Sequence, residues 1–197
     1  MDVPADQLQV NFVPLEHPLG RRISVIGGGG KTTLSHALGR KLSLPFIELD
    51  AIHHLPNWVE RDAESFRLKV SEALEAAPGG WVVDGSYAGK LEGLVFGKAD
   101  MIVWVNMPWR VMFWRVLKRS VQRAWDKQLI CGENTESWRQ MFSRNSLLWY
   151  HIKTRKLYPG RLQRILPFVA PGVPVINISS ARELNRFYEV QGLVRGR

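Results

Sequence analysis

An α/β fold built on a parallel sheet is what this sequence predicts, and three observations predict it. Short β-branched or apolar runs alternate along the chain with longer segments of helical apolar period. Four glycines, Gly27 to Gly30, break the first of those runs just before a helical pattern begins. Asp50 and Asp84 stand directly after the second and third runs, which brings them to the carboxyl edge of such a sheet beside the glycines. Five runs predict a five-stranded parallel sheet with helices on both faces.

The elements follow in order. Residues 1–20 read as a flexible arm, because Pro4, Pro14 and Pro18 break any regular element, and one domain is expected to span 21–197. Residues 23–26 are the first strand. A helix over 32–44 carries Leu34, Leu38 and Leu42 on one face. Residues 46–49 are the second strand, and 51–60 a loop. A helix over about 62–77 turns Phe66, Val70, Ala73 and Leu74 inward, and Pro78-Gly79-Gly80 stops it. Residues 81–83 and 101–105 are the third and fourth strands. Pro108 suits the first turn of a helix that runs on to about Trp125. Residues 126–137 are polar and lack apolar period, so they read as a lid, with helix resuming near Ser137. Residues 174–178 are the fifth strand and 181–190 a closing helix.

The 197 residues, 45% hydrophobic and 23% charged, fit one globular domain with an ample core. The most apolar stretch, 101–114, is interrupted by Asn106, Pro108 and Arg110 and is too short to span a bilayer. The first twenty residues carry Asp2, Asp6 and Glu16 and no Lys or Arg, unlike a secretory signal. Cys131 is the single cysteine, so no intramolecular disulfide forms. A cytoplasmic protein with no membrane partner is expected. The net charge of +9 is concentrated: residues 110–164 hold 13 Lys/Arg against 3 Asp/Glu, and the rest of the chain is nearly neutral. That stretch predicts an anionic partner, either nucleotide and substrate phosphates or nucleic acid.

The strongest motif is the strand that breaks into Gly27-Gly28-Gly29-Gly30-Lys31-Thr32-Thr33. Glycines let backbone N–H groups approach phosphate oxygens, and the helix N-terminus adds partial positive charge. Lys31 is the candidate for the β- and γ-phosphates, and Thr32 for Mg²⁺. The usual phosphate loop has four residues between its first glycine and the Gly-Lys pair; here Gly28 and Gly29 alone separate Gly27 from Gly30. The loop is thus two residues short, or it starts inside the strand near Val25. Asp84 is the candidate partner of a Mg²⁺-bound water beside Thr32. Asp50 either orients and deprotonates an acceptor hydroxyl or caps a loop. Arg115, Arg119 and Arg123 recur every fourth residue and share a helix face, as cations over a migrating phosphoryl group would. His53 and His54, with no third ligand in view, make a weak metal site. Six of the eight tryptophans (Trp104, Trp109, Trp114, Trp125, Trp138 and Trp149) fall in or after the fourth strand, and Trp104 and Trp114 are expected in the core.

These residues resemble the small adenylate-kinase-like P-loop proteins often labelled DNA topology modulation proteins. The likeness runs from about Arg21 to Tyr188. It rests on Gly30-Lys31-Thr32-Thr33-Leu34, on residues 47–53 with Pro56-Asn57-Trp58, on residues 81–87, on Ala99-Asp100 before Val103-Trp104, and on the arginine helix. The resemblance implies the P-loop NTPase fold with a basic helical lid. It implies ATP binding by Lys31 and Thr32, a Mg²⁺ role for Asp84 and lid contacts from Arg119 and Arg123. Ser86-Tyr87-Ala88-Gly89-Lys90 stands where adenylate kinases carry an aromatic followed by Pro-Arg, so AMP is not the implied acceptor. Thr135 likewise stands where the family's lid has arginine. Phosphoryl transfer from ATP to a small-molecule acceptor is the expected activity. A catalytically weak nucleotide-binding regulator and a nucleic-acid-binding protein are the alternatives.

Overall fold

Short apolar and β-branched runs, buried on both faces, build the centre of the sheet. The computed structural model describes residues 10–126, 129–130, 134–135, 149, 152–153 and 161–196. Strands in chain order are β1 (Asn11–Val13), β2 (Arg22–Gly28), β3 (Phe46–Glu48), β4 (His54–Leu55), β5 (Val59–Glu60), β6 (Trp81–Asp84), β7 (Met101–Asn106), β8 (Leu129–Ile130), β9 (Asn134–Thr135) and β10 (Pro174–Ile178). Helices are α1 (Lys31–Leu42), α2 (Leu49–His53), α3 (Ala63–Glu75), α4 (Ala88–Leu91), α5 (Trp109–Asp126), α6 (Arg161–Ile165) and α7 (Ala181–Val190). The main sheet is parallel throughout, in the order β1-β10-β7-β2-β6-β3.

Side chains of β7 alternate between the two faces. Met101, Val103 and Val105 join Leu34, Leu38, Leu184 and Phe187 of α1 and α7 on one face. Ile102 and Trp104 join Leu162 and Ile165 of α6 on the other. Phe66, Val70 and Leu74 of α3 pack with Trp81 and Val83 in a further cluster. The Asp62 side chain caps α3 by accepting from Ser65 N at 2.8 Å. At α7, Ser180 Oγ accepts from Glu183 N, while Glu183 Oε2 accepts from Ser179 N and Oγ.

Six strands replace the expected five. The additional one is β1, within the stretch expected to be an arm, and it pairs with β10 through Asn11↔Pro174 to Val13↔Ile176. Three residues are too few for a period to register, and Pro14 ends the strand at once. Residues 51–60, expected to be a loop, contain the end of α2 and the antiparallel β4–β5 hairpin closed by a turn at Pro56–Trp58. In the expected lid, β8 and β9 pair with each other, and β9 lies beside the Pro56–Trp58 turn. Residues 127–128, 131–133 and 136–137 of that lid lie outside the described residues. So does most of the helix expected after Ser137, of which Trp149, Ile152 and Lys153 are described as helical. Among the described residues no helix is long and apolar enough to cross a membrane.

Candidate functional site

The glycine run divides into two structural halves. On its β6 side, strand β2 ends at Val25↔Asp84, and Gly85 N then donates to Val25 O at 3.1 Å. On its β7 side, β2 continues through Gly27↔Val105 and Gly28↔Asn106. The turn into α1 is therefore Gly29-Gly30, shorter than either sequence alternative. Gly29 and Gly30 have φ of +78° and +135°, conformations that favour glycine. Gly30 is the N-cap of α1 and has no side chain with which to cap the first turn, where the N–H groups of Lys31, Thr32 and Thr33 lie.

Asp84 holds the two residues that follow this turn. Its Oδ1 accepts from Lys31 Nζ at 2.7 Å, and its Oδ2 accepts from Thr32 Oγ1 at 2.7 Å. The carboxylate is 0% exposed at the end of β6, between β2 and β3, so burial makes both bonds count. The hydroxyl and the carboxylate are hard oxygen donors, a set that fits Mg²⁺.

Register adds a residue that the sequence reading missed. Glu48 lies opposite Asp84 across β3 and β6. Burial, then the Asp84 and Asp50 carboxylates, push Glu48 above the ordinary carboxylate value, against the pull of Lys31 and His36. Only the knowledge that β3 neighbours β6 would have found it. Asp50 follows in the first turn of α2 and accepts from Tyr87 Oη at 2.6 Å on Oδ1. Tyr87 is held at a left-handed φ of +30°, just before α4. The glycine turn, Asp50 and Asp84 thus share the carboxyl edge of the sheet, as the sequence predicts.

Of the three arginines, Arg115 reaches the site: its Nη1 donates to the carbonyl of Gly29. Arg119 is exposed on α5, and the Arg123 side chain lies outside the described residues. Trp104 is buried as expected. Trp114 is not in the core: it is 66% exposed, because the inward positions of α5 are Met112 and Val116, two residues to either side of it.

No family model matches the chain, and no curated protein matches it. Solved structures do match. A shikimate kinase from Acinetobacter baumannii, in complex with shikimate, is 13% identical over 85% of this chain and 89% of its own, with a TM-score of 0.50. A shikimate kinase from Bacteroides thetaiotaomicron is 18% identical over 85% and 92%, with a TM-score of 0.44. A sugar kinase from Janibacter sp. HTCC2649 is 15% identical over 95% and 97%, with a TM-score of 0.46. With its parallel sheet and the glycine turn leading into α1, the chain has the α/β fold of the P-loop kinases.

Proposed function

We propose that this chain is a phosphotransferase of the small-kinase type, passing the γ-phosphoryl of ATP to a hydroxyl of a small-molecule acceptor with Mg²⁺ as cofactor. The observation that carries the reading is the grip of one buried carboxylate, Asp84, on both Lys31 and Thr32 just after Gly30, the N-cap of α1. In this reading Gly29, Gly30 and the first-turn N–H groups, Thr33 included, face the phosphate oxygens. Gly27 and Gly28 set the position of the turn from within β2. Lys31 exchanges Asp84 for the β- and γ-phosphates. Thr32 and Asp84 would hold Mg²⁺, which when bound neutralises charge on the transferred group.

Tyr87 occupies one oxygen of Asp50 and fixes the carboxylate, leaving the other oxygen to take the proton of the acceptor hydroxyl. The acceptor oxygen then bonds to phosphorus as the bond from phosphorus to the bridging β–γ oxygen breaks, and ADP leaves. Arg115, above the glycine turn, and Arg119 and Arg123 further along α5 supply cations for the migrating charge. The likeness to a shikimate kinase directs the acceptor search toward small polyhydroxylated acids, with other small alcohols beside them.

Calorimetric titration of Mg-ATP and Mg-ADP into the wild type and into folded Lys31→Ala tests the reading. Saturable binding lost in the variant, followed by turnover on one of these acceptors, is the expected result. No binding by the wild type would end it. Binding without turnover on any acceptor would leave a nucleotide-binding regulator.

One observation favours a second reading, in keeping with the topology-modulation label. Trp114 and Trp125 are 66% and 78% exposed on basic α5, where Arg110 and Lys118 are exposed with them. Exposed aromatics among cations suit single-stranded nucleic acid. Binding of an oligonucleotide that weakens steeply with salt and is lost in Trp114→Ala would support it.

A further inference from the structure

Behind Asp50, the β4–β5 hairpin folds Glu60 back onto the end of α2. His54 pairs with Glu60 in register, and Arg61 ties the hairpin down, its backbone N donating to His53 O at 2.8 Å and its Nε to Ile52 O at 3.0 Å. One ring nitrogen of His53, one of His54 and a carboxylate oxygen of Glu60 all lie within 4.8 Å of one another. The sequence supplied two histidines; the hairpin supplies the third group.

A cation already stands at this cluster. Lys90 Nζ is 2.9 Å from His53 Nε2 and 2.7 Å from Glu60 Oε2. An ammonium only donates, so His53 Nε2 carries its lone pair toward that point. His54 Nδ1 lies 3.0 Å from the carbonyl of Asp50, which only accepts, so Nδ1 bears the proton and Nε2 is the lone-pair nitrogen. The His53 ring is wedged between Phe66 and Tyr87, with centroids 4.8 Å from each, and its buried Nδ1 has no hydrogen-bond partner among the described residues. Hydrogen bonding alone therefore does not account for this ring.

We infer that His53, His54 and Glu60 form a binding site for a divalent ion of the zinc class, for which the Lys90 ammonium is the built-in competitor. Two imidazoles and one carboxylate are a donor set for zinc, cobalt or nickel, whereas Mg²⁺ favours all-oxygen sites such as Thr32 with Asp84. Three protein ligands leave a position open for water or a ligand atom. Carbonyl support behind His54 is the kind of outer contact that orients a ligating imidazole. Lys90 comes from another element, α4, and its side chain is 41% exposed, so it can swing into solvent when a doubly charged ion arrives.

The test is spectroscopic titration of Co²⁺ into the chelator-stripped full chain, with Zn²⁺ as displacer. The wild type should bind one equivalent with the strong visible bands of low-coordinate cobalt, and excess Mg²⁺ should not remove it. Glu60→Gln, at an exposed position, and His54→Ala should each weaken binding by about 10- to 100-fold. Lys90→Met should tighten it by about tenfold, since it removes the competing charge. Failure of both the wild type and Lys90→Met to bind would overturn the inference. So would wild-type affinity in Glu60→Gln and His54→Ala, which would put the ion on other histidines, or displacement by Mg²⁺. None of these outcomes depends on ATP or turnover.

Discussion

Gly27 lies so close to Val105 across β2 and β7 that a β-carbon on it would stand 2.0 Å from the Val105 carbonyl oxygen. Its φ of +103° is equally closed to other residues. The first glycine of the motif is therefore needed by the sheet itself, whatever it does for a ligand.

Gly27→Ala should consequently damage the fold before any ligand is added. Steric overlap with backbone and the unfavourable φ together should cost about 2–4 kcal/mol. Urea denaturation without nucleotide reads this directly. A variant of unchanged midpoint would mean that β2 and β7 separate easily at this point.

Lys31→Ala should destabilise the free protein as well as abolish nucleotide binding. It leaves Asp84 buried with Thr32 as its remaining partner, a loss of about 3 kcal/mol. Combining Lys31→Met with Asp84→Asn should restore most of the thermal stability and none of the binding. If the double variant melted below both single variants, the pair would not be coupled as described.

Asp50→Asn should lower kcat by about 10²–10⁴-fold with little change in KM for ATP. Tyr87→Phe should cost about tenfold, because it frees the carboxylate to rotate without removing it. Equal losses in the two variants would assign the chemistry to the phenol. No loss in either would remove Asp50 from the reaction.

Stability should depend on pH through Glu48. Its raised value in the folded chain means that the folded state holds the proton more tightly than the unfolded state. Stability is then greatest below the ordinary carboxylate value and falls as pH rises through the raised one. Glu48→Gln should flatten that fall and raise Tm near neutrality. His53 works in the opposite sense. Burial, with Lys90 and His54, holds it below the ordinary imidazole value, so its contribution is lost as pH falls toward that lowered value. Differential scanning calorimetry across the acid range separates the two.

Arg115→Ala should lower turnover by more than Arg119→Ala, since of these two side chains it is Arg115 that touches the glycine turn. A loss of about 10³-fold is the scale for a cation acting on a transferring phosphoryl group. Equal effects of the two variants would argue for a diffuse basic face instead.

Much of this architecture was legible because strong periods and sharp breaks coincide. Leu34 and Leu38, Phe66 and Val70, and the alternating residues of β7 all lie where a simple period puts them. Asp84 was readable because a carboxylate ending a buried strand has few other places to go, and Asp50 because it follows the second strand closely, in the first turn of α2. Glu48 was not, because its environment comes from a neighbouring strand about thirty-five residues away. Glu60 was hidden by a hairpin of two-residue strands, too short to show alternation. Trp114 was misread because bulk and hydrophobicity suggested the interior, while the helix phase set by Met112 and Val116 turned it to solvent.

The edge strand β1 bears on how this protein is handled. Asn11, Phe12 and Val13 cover one side of β10, an apolar strand that would otherwise present open N–H and C=O groups. Trimming the first thirteen residues as a dispensable leader would uncover a ready template for edge-to-edge association. The truncated chain would be expected to precipitate or pair with its own copies, and a purification tag belongs at the other terminus.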